Sequence, residues 1–137
     1  MDLDKRFKDA SQRCTELING STYSFSALKP SDLPKVAGVY MVWNDKTKES
    51  LYVGKTKNIK QRLYTNHLMG NQANARLKYY FVKDKDLPEI TTMAEAKEYL
   101  KENCCFKFIV EEDMRERGHL EGLISYMFDC KYVDEEH

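Results

Sequence analysis

The stretch GVYMVWNDKTKESLYVG, residues 38–54, contains two short β-rich runs separated by a polar segment. The runs, residues 38–43 and 51–54, are rich in valine and aromatic side chains, which pack well on a pleated sheet. The residues between them, 44–49, are polar and suit a turn. The stretch therefore predicts a β-hairpin.

The end of this hairpin, Gly54-Lys55-Thr56, has the last three letters of a nucleotide-binding phosphate loop. Such a loop needs a second glycine five residues earlier, because two flexible points let the backbone amides wrap around the phosphates. That position is Glu49, and its carboxylate would repel the phosphates. Gly54 therefore needs another explanation.

Length and composition limit the class of protein. A chain of 137 residues can bury the core of one domain, so we expect a single domain over residues 1–137. The start is charged, and no segment is apolar enough to span a membrane, so we expect a cytoplasmic protein that makes no membrane contact. The four cysteines lack zinc-binding spacing and are interpreted as free thiols.

The formal net charge is zero, but the charges are unevenly distributed. No acidic residue occurs between positions 51 and 83, whereas nine occur between 111 and 137. The basic residues of the first segment are Lys55, Lys57, Lys60, Arg62, Arg76, Lys78 and Lys83. A basic face of this kind can attract a polyanion, and an ordinary solvated face explains the charges equally well.

Further patterns predict helices around the hairpin. An apolar stripe from Phe7 to Ile18 predicts an amphipathic helix within residues 1–20. Residues 104–110 are typical of a third strand, and apolar residues at helical spacing in 120–127 predict a final helix.

Two capping patterns mark the starts of helices in the middle of the chain. Asn58 is followed by Gln61 three residues later, which predicts a helix running towards His67. Thr92 and Glu95 form a capping box that predicts another helix through about residue 101. Residues 77–81 fit either a helix or an extended segment.

The triplets Gly38-Val39-Tyr40 and Tyr52-Val53-Gly54, with Arg62 and Glu121, resemble the signature of the GIY-YIG nucleases. In that family the triplets lie on the first two strands of the sheet, and an essential arginine and an essential glutamate follow on later helices. The resemblance implies an α/β (α+β) fold with a small three-stranded antiparallel sheet flanked by helices. The core of this fold is expected at residues 33–128.

The resemblance also implies an endonuclease that cuts DNA with Mg²⁺ or Mn²⁺. Tyr40 is then expected to polarise or deprotonate a water molecule, and Tyr52 to line the same cleft. Arg62, with its charged fork, suits the scissile phosphate. His67 is expected to contact phosphate or assist proton transfer, and Glu121 to hold the metal ion.

Substrate contacts are expected around the end of the second strand. Gly54 would end that strand and let the substrate backbone come close, because it has no side chain. The residues expected to bind the DNA are Gly54, Lys55, Lys57, Lys60, Arg76 and Lys78. We expect no appended recognition module, so target specificity would come from loops or from a protein partner.

Two other functions remain open. One is a noncatalytic module on the same scaffold that binds nucleic acid or protein, and the other is a purely structural domain. Each site residue alone has an ordinary explanation, since strand tyrosines usually pack and helix glutamates usually face solvent. The tail, residues 126–132, also lacks the Pro and Asn that many family members carry after the glutamate.

Overall fold

The computed structural model describes residues 1–70 and 75–134. The helices are α1 (Leu3–Ile18), a π-helix (Gln61–Leu68), α2 (Arg76–Lys83), α3 (Met93–Asn103) and α4 (Met114–Phe128), with a short 3₁₀ turn at Pro30–Asp32. The strands are β1 (Tyr23–Ser24), β2 (Gly38–Asn44), β3 (Ser50–Thr56) and β4 (Cys104–Val110). No helix in these two ranges is long and apolar enough to cross a membrane.

The sheet is antiparallel and has the strand order β1-β4-β2-β3. The α+β fold and the three predicted strands are confirmed, and the two-residue strand β1 adds a fourth. No sequence pattern predicts β1, because two residues are too few to show an alternation. β3 forms one edge of the sheet, so its outer side is open to residues from elsewhere in the chain.

Helices cover both faces of the sheet. On one face, side chains of β2, β3 and β4 pack with apolar residues of the π-helix, α2 and α3. On the other face, Val39, Met41 and Ile109 pack with Leu17 of α1 and with Leu120 and Ile124 of α4. Strand alternation sends successive residues to opposite faces, so β2, β3 and β4 each contribute to both cores.

The hairpin turn and the helix starts are set by local hydrogen bonds. The Asn44 side-chain oxygen accepts from the amides of Lys46 and Thr47 at 2.9 and 3.1 Å, as an Asx turn does. The predicted capping box is present, since the Thr92 hydroxyl accepts from the Glu95 amide at 3.1 Å. Residues 77–81 are helical and belong to α2.

The amphipathic stripe of α1 is only partly buried. Leu17 is fully buried, but Phe7 is 68% exposed and Ile18 is 49% exposed. The main contacts of α1 are with β4 and α4. The apolar pattern of α1 therefore predicts more buried surface than the fold provides.

Candidate active site

The two signature tyrosines lie on one face of the sheet. Tyr40 on β2 pairs with Gly54 on β3, and Val42 pairs with Tyr52, so the tyrosines differ by one step of the two-residue repeat. Their ring centroids are 6.3 Å apart. The hairpin register thus brings both phenols to the same core, next to the π-helix.

Gly54 is required by Tyr40. A Cβ atom added at Gly54 would lie 2.2 Å from Tyr40 Oη and 2.4 Å from Cζ, closer than any real contact. The expectation that Gly54 ends the second strand was wrong, because β3 continues to Thr56. The Tyr40 ring fills the space that a side chain at Gly54 would occupy.

Gly38 has the same kind of role on β2. A Cβ atom there would lie 2.3 Å from the carbonyl oxygen of Ile109. The first signature glycine therefore lets β4 approach β2 closely, and the second lets a ring cross β3.

The π-helix supplies two partners for the Tyr40 hydroxyl. Arg62 donates a hydrogen bond from Nε to Tyr40 Oη at 3.2 Å. His67 Nε2 lies 2.6 Å from the same oxygen, and the two are hydrogen-bonded. Two α-helical residues, 59 and 60, lead into the π-helix, and the Asn58 side chain before them accepts from the Gln61 amide at 3.1 Å, so the predicted cap is present.

The π-helical winding was not predicted from the sequence. It is seen in the bond from the Met69 amide to the Tyr64 carbonyl, five residues back, at 3.0 Å. A π-helix is rare and frequently marks a functional site. Here it puts Arg62 and His67 on the side that faces Tyr40.

Tyr40 and His67 are both fully buried and both uncharged near neutral pH. Burial raises the pKa of Tyr40 well above its usual 10, and the neighbouring Tyr52 adds to this, while Arg62 opposes it. Burial lowers the pKa of His67 well below 6.5, and the charges of Arg62 and Lys78 lower it further. His67 Nδ1 has no hydrogen-bond partner among the described residues.

Glu121 reaches the same region from the opposite face of the sheet. It lies on α4, half-buried, and lines a cavity of about 200 Å³ with Tyr52, Ser125, Tyr132 and others. Burial raises the pKa of its carboxyl group, whereas the ammonium and backbone amide of Lys55 lower it. The cavity lies at the edge of β3, between α4 and the segment that follows it.

Tyr52 joins the buried network to this cavity. Its ring centroid is 5.8 Å from that of His67, and its side chain also lines the cavity with Glu121. Burial raises the pKa of its hydroxyl, and the Asp134 carboxylate raises it too, while Arg62 lowers it. Tyr52 therefore lies between the arginine and the carboxylates.

Residues 36–103 match the family model described as the GIY-YIG catalytic domain. The chain belongs to the GIY-YIG nuclease family. The match covers both triplets, Arg62 and His67, and it ends before α4, which carries Glu121.

Solved GIY-YIG domains are among the structural neighbours. One is the GIY-YIG N-terminal endonuclease domain of UvrC from Thermotoga maritima bound to its catalytic divalent cation, magnesium. The two sequences are 20% identical, the alignment covers 74% of this chain and 88% of that chain, and the TM-score is 0.45. A point mutant of that domain, in which one tyrosine is replaced by phenylalanine, shows 21% identity, coverage of 75% and 88%, and a TM-score of 0.42. The comparison with curated protein sequences gives no match.

The basic residues expected around the GIY-YIG site separate into two groups. Lys55 and Lys57 are exposed, and Lys60 is half-buried on the turn that enters the π-helix. Arg76 is exposed on α2 and lies 3.5 Å from the Asp134 carboxylate. These four cations face solvent near the edge of β3 and around the π-helix.

Lys78 does not belong to that surface. It is 2% exposed, and its ammonium donates to the carbonyl oxygens of Leu68 and Gly70 at 3.0 and 2.7 Å. Burial, with a contribution from Lys97, lowers its pKa to about 8. Lys78 was expected to bind the DNA, but its side chain is buried and holds the end of the π-helix.

Sequence analysis missed three residues at this GIY-YIG site: Tyr80, Tyr132 and Asp134. Tyr80 follows Arg76 at i+4 on α2, a spacing that puts the two on one helix face. Tyr132 and Asp134 belong to the tail after α4, which has no periodic pattern. Only the fold brings this tail back to the edge of β3.

Proposed function

We propose that the protein is an endonuclease that hydrolyses phosphodiester bonds in DNA and requires Mg²⁺ or Mn²⁺. The observation that carries the proposal is the position of Tyr52. Its ring packs on the Tyr40–His67 pair held by Arg62, and its side chain lines the cavity that contains Glu121. A phenol and a carboxylate thus line one cavity, and the Arg62 guanidinium lies behind the phenol, hydrogen-bonded to it.

The donor set fits magnesium. Glu121 lines the cavity and offers carboxylate oxygens, the ligands that Mg²⁺ prefers. Within residues 1–70 and 75–134 no group of three or more His, Cys, Asp and Glu side chains could hold an ion. Mg²⁺ commonly binds through one or two carboxylates and keeps several waters, so this site suits it better than Zn²⁺.

A bound divalent ion would supply positive charge that lowers the pKa of a water and stabilises charge on the phosphate. Glu121 would hold it. Arg62 keeps its charge at any working pH and would face the non-bridging oxygens of the scissile phosphate. Tyr52 is a neutral phenol at neutral pH and would donate a hydrogen bond that orients a water or a phosphate oxygen.

Tyr40 has a different role here from the one expected from the sequence. Its side chain is fully buried, so its hydroxyl does not meet solvent. We assign it to positioning: with His67 it fixes Arg62 through the bond from Nε, so that the outer guanidinium nitrogens can reach Tyr52 and a phosphate. Lys55, Lys57 and Lys60 would contact the DNA backbone next to this site.

The test is cleavage of supercoiled plasmid, branched DNA and single-stranded DNA with Mg²⁺, with Mn²⁺ and with EDTA. We expect nicking with either metal and none with EDTA. Arg62→Gln should abolish cleavage, whereas Arg115→Gln, an exposed arginine on α4, should cut like the parent. Intact DNA of all three forms at high protein concentration with either metal would rule out the catalytic function.

A noncatalytic DNA-binding module is the second candidate. The full burial of Tyr40 favours it, because a phenol without access to solvent and with a raised pKa is a poor base. In that case DNA binding should be measurable, and adding Mg²⁺ should neither change the affinity nor cut the DNA.

A further inference from the structure

The segment after α4 returns to the edge of β3 and is held there. The amides of Lys131 and Tyr132 donate to the carbonyl oxygens of Ser50 and Leu51 at 3.1 and 2.8 Å, which ties this segment to the sheet edge. The Tyr132 ring stacks on Tyr80 with centroids 5.4 Å apart and planes 7° from parallel. These contacts fix the position of Asp134.

Asp134 is bound as an anion by two side chains of α2. The Tyr80 hydroxyl donates to its Oδ1 at 2.6 Å, and Nη1 of Arg76 lies 3.5 Å from the same oxygen. Arg76 and Tyr80 are one helical turn apart, so both project from one face of α2. The side chains of Arg76 and Asp134 are 51% and 54% exposed, so solvent and solutes reach the pair.

We propose that Arg76 and Tyr80 form a phosphate-binding subsite for the DNA strand, and that Asp134 occupies it when no DNA is bound. The proposal rests on the proposed function for the identity of the ligand. A phosphodiester and a carboxylate each carry one negative charge, and both accept hydrogen bonds from guanidinium and hydroxyl groups. Exchange of one for the other therefore leaves the charge at the subsite unchanged.

The position of the subsite fits a phosphate next to the scissile one. Tyr80 packs on Tyr52 with ring centroids 6.0 Å apart, and Tyr52 and Asp134 line the same cavity as Glu121. A strand whose phosphate enters the cavity would thus pass over Arg76. Exposed ion pairs are weak, so a phosphate brought in by the rest of the strand can displace Asp134.

The first experiment measures DNA binding in EDTA by fluorescence anisotropy across a salt series. In the parent the phosphate replaces one ion pair of Arg76 by another, and the freed Asp134 carboxylate attracts a cation from solution. In Asp134→Asn the phosphate forms a net new ion pair, so the dependence of log Kd on log salt should steepen by about 0.9. Between about 50 and 200 mM salt this corresponds to a loss of affinity about threefold larger than in the parent. Arg76→Gln in the Asp134→Asn background should return the slope to the parent value.

Asp129→Asn is the matched control. It makes the same change in net charge at an exposed position near the same edge, and Asn suits the left-handed conformation found there (φ 49°). Its salt slope should equal that of the parent. Equal slopes for Asp134→Asn and Asp129→Asn would mean that only overall charge matters and would overturn the subsite.

The second experiment uses inorganic phosphate and separates the subsite from the nuclease function. At constant ionic strength, phosphate should raise the Tm of Asp134→Asn more than that of the parent, and Arg76→Gln should remove the difference. If no variant binds DNA but phosphate acts in this way, the subsite stands and the proposed function fails. If phosphate acts equally on Asp134→Asn, Asp129→Asn and the parent, the subsite is wrong.

Discussion

The Tyr40 ring lies directly across the backbone of Gly54. A Cβ atom at Gly54 would meet Oη, Cζ and Cε1 of Tyr40 at 2.2, 2.4 and 2.8 Å. The tyrosine of one signature triplet and the glycine of the other are thus a single packing unit across the β2–β3 pair. This unit sets the position of the hydroxyl to which Arg62 and His67 bind.

Gly54→Ala should therefore displace the Tyr40 ring and break its bonds to Arg62 and His67. We expect a loss of about 1–3 kcal/mol in the free energy of unfolding, the usual effect of overpacking, together with loss of cleavage. The measurement is urea unfolding of Gly54→Ala beside Gly122→Ala. Gly122 lies within α4 with nothing within 4 Å of an added Cβ, so alanine there should stabilise by about 0.5–1 kcal/mol. Equal stability of the two variants would contradict the packing unit.

His67 predicts a loss of stability in mild acid. Its folded pKa lies below the ordinary 6.5. Between these two pKa values the imidazole is protonated in the unfolded chain and neutral in the folded chain. Stability from this group is complete above 6.5 and falls as the pH decreases below it. Urea unfolding at about pH 7.5 and about pH 5.5, on either side of the ordinary pKa, should show a smaller loss for His67→Gln than for the parent. His119→Gln, at an exposed position on α4, should behave like the parent.

The buried Lys78 predicts that stability increases in mild alkali. Its folded pKa is about 8 against an ordinary 10.5, so between these values the unfolded chain holds a proton that the folded chain has lost. The parent should therefore gain stability as the pH rises from about 8 towards 10.5. Lys78→Met should lack this gain, and Lys83→Met, exposed on the same helix, should keep it. Parallel pH curves for the parent and Lys78→Met would contradict the buried ammonium.

Lys57 and Lys60 should contribute to DNA binding through backbone phosphates. Replacing both by Gln should weaken binding to unrelated sequences equally and reduce the salt slope by up to about 2, one contact per lysine. Lys5→Gln with Lys8→Gln removes the same charge from exposed positions of α1, on the other face of the sheet, and should leave the slope unchanged. If both pairs of substitutions weaken binding equally, the basic residues between positions 51 and 83 form only an ordinary solvated face.

The sequence predicted the elements well where local chemistry decides them. The Thr92 and Asn58 caps, the three main strands and the apolar spacing of the final helix depend on residues close together in the chain. Strand alternation also allowed Tyr40 and Tyr52 to share a face, although only the hairpin register fixed it.

The remaining features depend on contacts between distant residues. Lysine is usually a surface residue, so the sequence gives no sign that Lys78 is buried. Its burial follows from its bonds to the carbonyl oxygens at the end of the π-helix. No local sequence pattern marks the π-helical winding. It accompanies the contacts of Arg62 and His67 with Tyr40, a residue distant in the chain. Asp134 lies in an unpatterned tail, and its place in the cavity depends on the backbone bonds to β3.

Glu121→Gln provides the most direct test of the proposed nuclease. The substitution keeps the shape and one oxygen but removes the charge that a hard cation requires. Thermal unfolding and single-turnover cleavage are measured on the same preparation, with Glu98→Gln, exposed on α3, as the control. We predict a folded Glu121→Gln protein that still binds DNA and cuts it several powers of ten more slowly, while Glu98→Gln cuts like the parent. A folded Glu121→Gln protein that cuts at the parent rate would contradict the metal-binding role and the mechanism built on it.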